Sequence, residues 1–431
     1  MKSTEAISER LKHTNWAAIT SSFWYLTSTG MQRLASLILL SVLTLTLTPA
    51  DFSRYGLFLS ALQVFVALAT LHIHMAPTRL AFDLKPGGQK LADLLKTAGA
   101  AALLGSLLAL GVLVLGLQST SWTDPLFQGE LSAQLAFTLA IISLVLVQLA
   151  SALLKIQRQA LKLLVMLNVQ SYSILIIYLI IHPHFEDKFL SLILSYGLGL
   201  SLAAALGLTS TGPYLFKGRL SKPHFKEAFV FTLPIGLQTM VLWAVQSAGR
   251  WIGVLYMDLT QLAPYMLVVQ LVGIIHTINL ALFDARVPDI GKCFASGDLR
   301  TGVTIINKTL LLSLGVISLA FAAIWFLFVF MGLQLPQGYT PSLSLIIIAF
   351  VICCLEALYV RALQIFTALK RTVLGAAATA VSAVITIALS FYLAPIWQDT
   401  GLILAGAIGI GTQALLSSFL ARKVIIFSKS T

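Results

Sequence analysis

Apolar stretches of about twenty residues recur along the whole chain, and polar residues are confined largely to the short breaks between them. A helix rises about 1.5 Å per residue, so about 20 residues cross the roughly 30 Å hydrocarbon core of a bilayer. Inside lipid no water is available to the backbone, so each span must satisfy its own amide groups as a helix. The pattern therefore predicts an all-α membrane protein. Composition agrees: 58% of the 431 residues are apolar and only 10% are charged, against roughly 25% charged in soluble domains. So few charges could not cover the surface of a water-soluble fold of this length.

Apolar runs read against polar breaks predict about twelve spans. They fall near 18–47, 55–77, 97–117, 131–154, 163–181, 189–208, 229–256, 262–283, 309–332, 343–365, 373–395 and 401–420. The net charge of +12 would suggest nucleic acid in a soluble protein. Here the basic residues sit between spans and read as topology, so no nucleic-acid partner is expected. With the N-terminus in the cytoplasm, 23 of the 28 Lys and Arg residues fall in cytoplasmic segments. Arg54 and Lys188 fall outside, and Arg33, Arg250 and Arg361 fall within spans. Acidic residues show no such bias, as the positive-inside rule expects. Both termini are thus predicted to be cytoplasmic. Residues 1–15 are polar and the first span is long, so that span is expected to be an uncleaved anchor.

The loops are short and leave no room for a catalytic domain. The basic segment 209–227 marks a midpoint between predicted six-helix lobes, 1–215 and 216–431. A weak repeat supports this division. The acidic turn around Asp51 leads into Tyr55, and the turn around Asp258 leads into Tyr265, in a register offset of 210 residues. Gln63 and Gln270 are matched by role. Six helices per half return the chain to the same side, which makes the halves parallel repeats with a substrate path between them.

Phosphate-loop, H-E-x-x-H, G-x-S-x-G and C-x-x-C signatures are absent. The pairs His72/His74 and His182/His184 read as surface or interfacial histidines, and the three cysteines form no disulfide framework. No catalytic residue, metal or cofactor is expected. The informative residues are the charges inside spans, each costing roughly 2.5–3.5 kcal/mol on insertion scales. These are Arg33, Arg250, Arg361 and Glu356, and a cavity shared by them would be electropositive. On the seventh span Thr239, Trp243, Gln246 and Arg250 share one helix face. On the first, Ser21, Tyr25, Ser28 and Gln32 repeat that spacing, with Arg33 on the adjoining strip. The expected cavity lining is Arg33, Arg250, Gln32, Tyr25, Trp243, Gln246 and Arg361. Glu356, as the one carboxylate well inside a span, is the candidate for H+ or Na+ coupling. Asp51 and Asp258 read as solvated turn residues.

Three motifs carry a family resemblance. Leu47-Thr48-Pro49-Ala50-Asp51-Phe52-Ser53-Arg54-Tyr55-Gly56 resembles the turn after the first helix of polysaccharide and O-antigen flippases. Phe231-Thr232-Leu233-Pro234 through Trp243, Arg250 and Tyr265 resembles that family's seventh helix and the turn after it. Leu153-Leu154-Lys155-Ile156-Gln157-Arg158 resembles its basic turn between helices four and five. The Asp that precedes the helix-seven Arg in the family is Gly249 here. The resemblance implies the multidrug/oligosaccharidyl-lipid/polysaccharide (MOP) exporter fold, two six-helix bundles around a central cavity. It further implies a transporter of the bacterial inner membrane, not an enzyme. Such a protein flips an undecaprenyl-pyrophosphate-linked oligosaccharide unit by alternating access. Membrane lipids and glycan-assembly proteins such as a polymerase are the implied partners. The rival readings are a cation-coupled drug or metabolite antiporter of the same fold and a membrane glycan polymerase or ligase. An acidic cavity would favour the antiporter, and a large external loop the polymerase or ligase.

The charge alternation has a direct check. Single cysteines at positions 125 and 336 should react with an impermeant thiol reagent added outside intact cells, and one at position 220 should not. The reverse pattern would overturn the predicted topology.

Overall fold

The computed structural model describes residues 27, 29–77, 89–119, 124–127, 130–157, 159–329, 335–369 and 371–427. Among these no strand occurs. The crossing helices are α1 (Thr29–Thr46), α2 (Pro49–Thr70), α3 (Gln89–Ser119), α4 (Leu131–Ile156), α5 (Ala160–Ile181) and α6 (Lys188–Lys217) in the first half. The second half holds α7 (Lys222–Tyr256), α8 (Leu259–Asp284), α9 (Leu299–Val329), α10 (Leu343–Ala368) and α11 (Thr372–Phe427). α11 breaks at Gln398, whose φ of 48° and ψ of −126° are not helical. Its limbs fold back on each other, since Ser382 Oγ donates to Gly409 O at 2.7 Å and Gln413 Nε2 to Thr379 Oγ1 at 2.8 Å. Counting both limbs, twelve crossing helices occur among the described residues, arranged as two pseudo-symmetric six-helix bundles.

Several helices run past the apolar stretch that predicted them. α2 begins at Pro49 rather than near 55, and α7 begins at Lys222 rather than near 229. Capping residues, not the end of hydrophobicity, start these helices. Thr48 Oγ1 accepts from Asp51 N, Ser221 Oγ accepts from His224 N, and Asp258 forms a capping box with Gln261 at the head of α8. Thr48 and Asp258 stand 210 residues apart, so the two repeat turns match as N-caps.

Asp51 therefore lies in the first turn of α2 and Arg54 in the second, within the helix and not in the turn before it. Arg54 is 5% exposed and pairs with Asp51 at 3.2 Å. It also donates to Leu126 O and lies over the Phe189 ring at 4.1 Å. A guanidinium removed from water needs such partners to offset its desolvation.

The two halves meet where α2 packs against α7 and α8. A Cβ added to Gly56 would lie 2.5 Å from Met266 Sδ. Residues 56 and 266 are equivalent in the 210-residue register, and equivalent residues in contact lie on the pseudo-twofold axis between the repeats. Small residues let helices approach closely in lipid, where dispersion and not water exclusion drives their packing. Ser53 Oγ donates to Leu259 O at 2.6 Å, and Tyr339 Oη donates to Leu47 O at 2.8 Å. The Phe52 and Tyr339 rings meet edge to face. These contacts seal one end of the molecule, opposite the basic segment that joins the halves. That segment is pinned to α3 through Arg219 N, which donates to Asp93 Oδ1 at 2.6 Å.

A Gly56→Val substitution should push α2 away from Met266 and destabilise the protein by about 1–3 kcal/mol, the usual cost of overpacking. Thermal unfolding of the detergent-purified protein reads this directly. A wild-type midpoint would show that the seam tolerates separation.

Candidate functional site

Beside the seam lies a cavity of about 450 Å³ between the two halves. Helices of both halves line it: Arg33 from α1, Tyr55 and Gln63 from α2, Gln246 and Arg250 from α7, and His276 from α8 are among them. Tyr265, the register mate of Tyr55, also faces it. A second cavity of about 300 Å³ lies within the second half, toward the basic end. His276, Glu356 and Gln246 line both.

The two cavity arginines differ in kind. Arg250 is 8% exposed and donates from Nη1 to Gly56 O at 3.2 Å. Two turns away along the same face, Trp243 Nε1 donates to Ser60 O at 2.9 Å, and Trp251, next to Arg250 in the chain, donates from Nε1 to Ser60 Oγ at 2.9 Å. These three side chains of α7 stitch it to α2 across the seam. Arg33 has no hydrogen bond among the described residues, and its Nε is shielded from solvent without a partner. The arginines also differ in depth. Arg33 lies about 20 Å along α1 from the sealed end and Arg250 about 9 Å along α7, at about 1.5 Å of rise per residue.

His276 and Glu356 face each other where the cavities adjoin. Nδ1 of the imidazole is 3.0 Å from Oε2 of the carboxylate, at ion-pair distance but without in-line hydrogen-bond geometry. The glutamate is 6% exposed. It thus has a partner on another helix, and Arg361 is not that partner.

Of the residues predicted to line the cavity, Arg33, Arg250 and Gln246 do so, and Glu356 joins them. The other four differ or fall elsewhere. Trp243 turns its indole onto α2, because the Ser60 carbonyl offers its N–H a partner within the seam. Arg361 donates from Nε to Asn307 Oδ1 at 2.7 Å, a bond between α10 and α9 that spends its charge on helix packing. Gln32 is half-buried on α1 and is not among the described residues lining either cavity. Tyr25 lies outside the described residues. The sequence reading missed Gln170, Tyr196 and His276 as lining residues. Their signal was a polar side chain in mid-span, weak for one residue and informative only once helix faces are known. Among the described residues no group of three or more His, Cys, Asp or Glu could hold a metal ion.

Gly249 also has a structural reason. A Cβ there would lie 2.5 Å from Tyr265 Oη, so the phenol occupies the space that a side chain preceding Arg250 would need.

No protein-family model matches the chain, and no curated protein matches it in sequence. Solved structures do match. An inward-facing multidrug resistance MATE family transporter of the MOP superfamily aligns with 95% of this chain and 99% of its own, at 13% identity and a TM-score of 0.68. The fold is that of the MOP superfamily. The lipid II flippase MurJ, in an inward closed conformation, aligns with 92% of this chain and 87% of its own, at 13% identity and a TM-score of 0.65. An outward-facing MATE transporter scores 0.59 at 14% identity, over 96% of each chain. Solved structures that share this fold thus include both a multidrug transporter and a lipid II flippase.

Different partners predict different stabilities. Arg250→Met should lower the thermal midpoint, since it removes a bond across the seam; Arg33→Met should leave the midpoint unchanged or raise it, since it removes an unpaired charge. Equal losses in the two variants would show that Arg33 is also structural.

Proposed function

We propose that this protein is a flippase that carries an undecaprenyl-pyrophosphate-linked oligosaccharide unit from the cytoplasmic to the external leaflet of the bacterial inner membrane. The observation that carries this reading is Arg33, a guanidinium without a hydrogen-bond partner in a central cavity between the two halves. A pyrophosphate cannot cross hydrocarbon bare. A planar guanidinium offers it bidentate, charge-assisted hydrogen bonds in place of water. The bound anion in turn offsets the cost of keeping the arginine in a low-dielectric site. Arg250 adds positive potential nearby while holding the seam. The carboxylate in the cavity, Glu356, is matched by His276. An antiporter of organic cations on this fold would be served better by unpaired carboxylates.

The halves 1–215 and 216–431 would rock about the α2–α8 contact, with the prenyl tail left in lipid. With the basic end in the cytoplasm, the sealed end faces outward. The higher similarity to an inward-facing relative supports that assignment. His276 and Glu356 form the coupling site in this reading, and the coupling ion is a proton. An imidazole and a carboxylate are both groups that take up and release a proton, whereas Na+ calls for several oxygen ligands. Among the described residues, Arg33 and Cys353 lie in electrostatic reach of the pair, and Tyr359 lines the second cavity with it.

The test is translocation of a fluorescent prenyl-pyrophosphate-linked glycan in proteoliposomes, with and without an imposed pH gradient. Arg33→Ala should reduce flipping at least about tenfold and Arg33→Lys should keep part of it, since charge survives while the bidentate fork is lost. Glu356→Gln should flip without responding to the gradient. Full flipping by Arg33→Ala would overturn the anion site, and an unchanged gradient response in Glu356→Gln would remove the coupling role. Gradient-driven uptake of a cationic dye, with no glycan movement, would favour the antiporter.

A further inference from the structure

Four glutamines from four helices line the central cavity: Gln63 on α2, Gln170 on α5, Gln246 on α7 and Gln270 on α8. Two come from each half. At about 1.5 Å of rise per residue they lie about 15–21 Å along their helices from the sealed end, which places them in one layer. Above them, toward that end, stand Arg250 and the phenols of Tyr55, Tyr196 and Tyr265; Arg33 lies level with Gln63 at the lower edge of the layer.

None of the four amides has a side-chain hydrogen bond among the described residues, and Gln270 Nε2 is shielded from solvent without a partner. A structural glutamine in this fold behaves otherwise: Gln413, which is buried, donates to Thr379 Oγ1 within the second half. Gln63 is exposed to the cavity and the other three are half-buried. The shielded Gln270 amide costs free energy without a partner, and four unbonded amides facing one space from four helices are poorly explained by helix packing. Each carries two donors and an acceptor and no charge. Such a ring does not select a cation or an anion. It matches a neutral, polyhydroxylated ligand whose groups both donate and accept. Gln63 and Gln270 also hold near-equivalent places in the two repeats, so a ligand between them is gripped by both halves at once.

We infer that this glutamine layer is a saccharide subsite, which reads the sugar next to the phosphate held by Arg33. The inference rests on the flippase reading and deepens it. The glycan is recognised inside the membrane by neutral hydrogen bonds, separately from the charge that holds the pyrophosphate. Rocking of the halves separates Gln63 from Gln270 and loosens the grip.

The experiment uses the detergent-purified full chain and three probes: a short-chain prenyl pyrophosphate, and the same lipid bearing one N-acetylhexosamine or one neutral hexose. Binding is measured by microscale thermophoresis. At least one sugar-bearing probe should bind about tenfold more tightly than the bare lipid, the effect of one or two neutral hydrogen bonds. Gln63→Leu/Gln270→Leu should erase that difference and leave the bare lipid within about twofold of wild type, as additional hydrogen bonds are lost while the charge remains. Gln170→Met serves as a second variant should the pair fail to fold, and should shrink the difference. Arg33→Ala should weaken all three probes together. Equal binding of all three probes by the wild-type protein would overturn the saccharide subsite and leave the flippase reading standing. A sugar preference untouched in correctly folded glutamine variants would also overturn it. Binding of none of the three by the wild-type protein would overturn the flippase reading and the subsite together.

Discussion

Close contact between α2 and the second half is the constraint on which the rest of the structure depends. Gly56 leaves room for Met266, and that lack of a side chain brings two equivalent helices together on the pseudo-twofold axis. Once they are that close, the carbonyls of Gly56 and Ser60 come within reach of Arg250 and Trp243 on α7. Lipid offers these donors no alternative, so each bond across the seam replaces a group that would otherwise stay unsatisfied. The central cavity is what remains between helices held apart above and below this seam. Its lining is polar because both repeats turn their polar faces toward it.

Charges in the membrane sort by whether the fold has given them a partner. Arg54 is spent on Asp51 and the Phe189 ring, Arg361 on Asn307, and Arg250 on a helix carbonyl. Glu356 faces His276. Arg33 is left, and it faces the cavity. The cost of an intramembrane charge is the same whether it is used for packing or for ligand binding. Only the presence or absence of a protein partner separates the two uses, and this makes Arg33 the natural place to look for an anion.

Much of the fold was legible from the chain. Twelve spans, the even spacing of basic segments and the 210-residue repeat all follow from hydropathy and charge. Helix starts were misplaced at α2 and α7, because Thr48 and Ser221 cap these helices before the apolar run begins. The site was legible in part. The helical period put Gln246 and Arg250 on one inward face, as the structure does, but it put Trp243 there too. A shared face on one helix does not decide whether a side chain points into a cavity or onto a neighbouring helix that crosses it.

The sequence by itself determined that the chain crosses a membrane, how many times, and which faces of its helices lipid could not accept. These properties are local, since a span of about twenty residues meets the bilayer whatever its neighbours do. The tertiary structure alone decided which intramembrane polar groups meet. Arg250 finds its carbonyl 194 residues away, and Arg361 its amide 54 residues away. His276 and Glu356 are brought together from α8 and α10. Such pairings depend on how each helix is rotated about its axis relative to the others. That rotation is set by close packing of small residues such as Gly56 and Gly249, and it leaves no periodic signal in the chain.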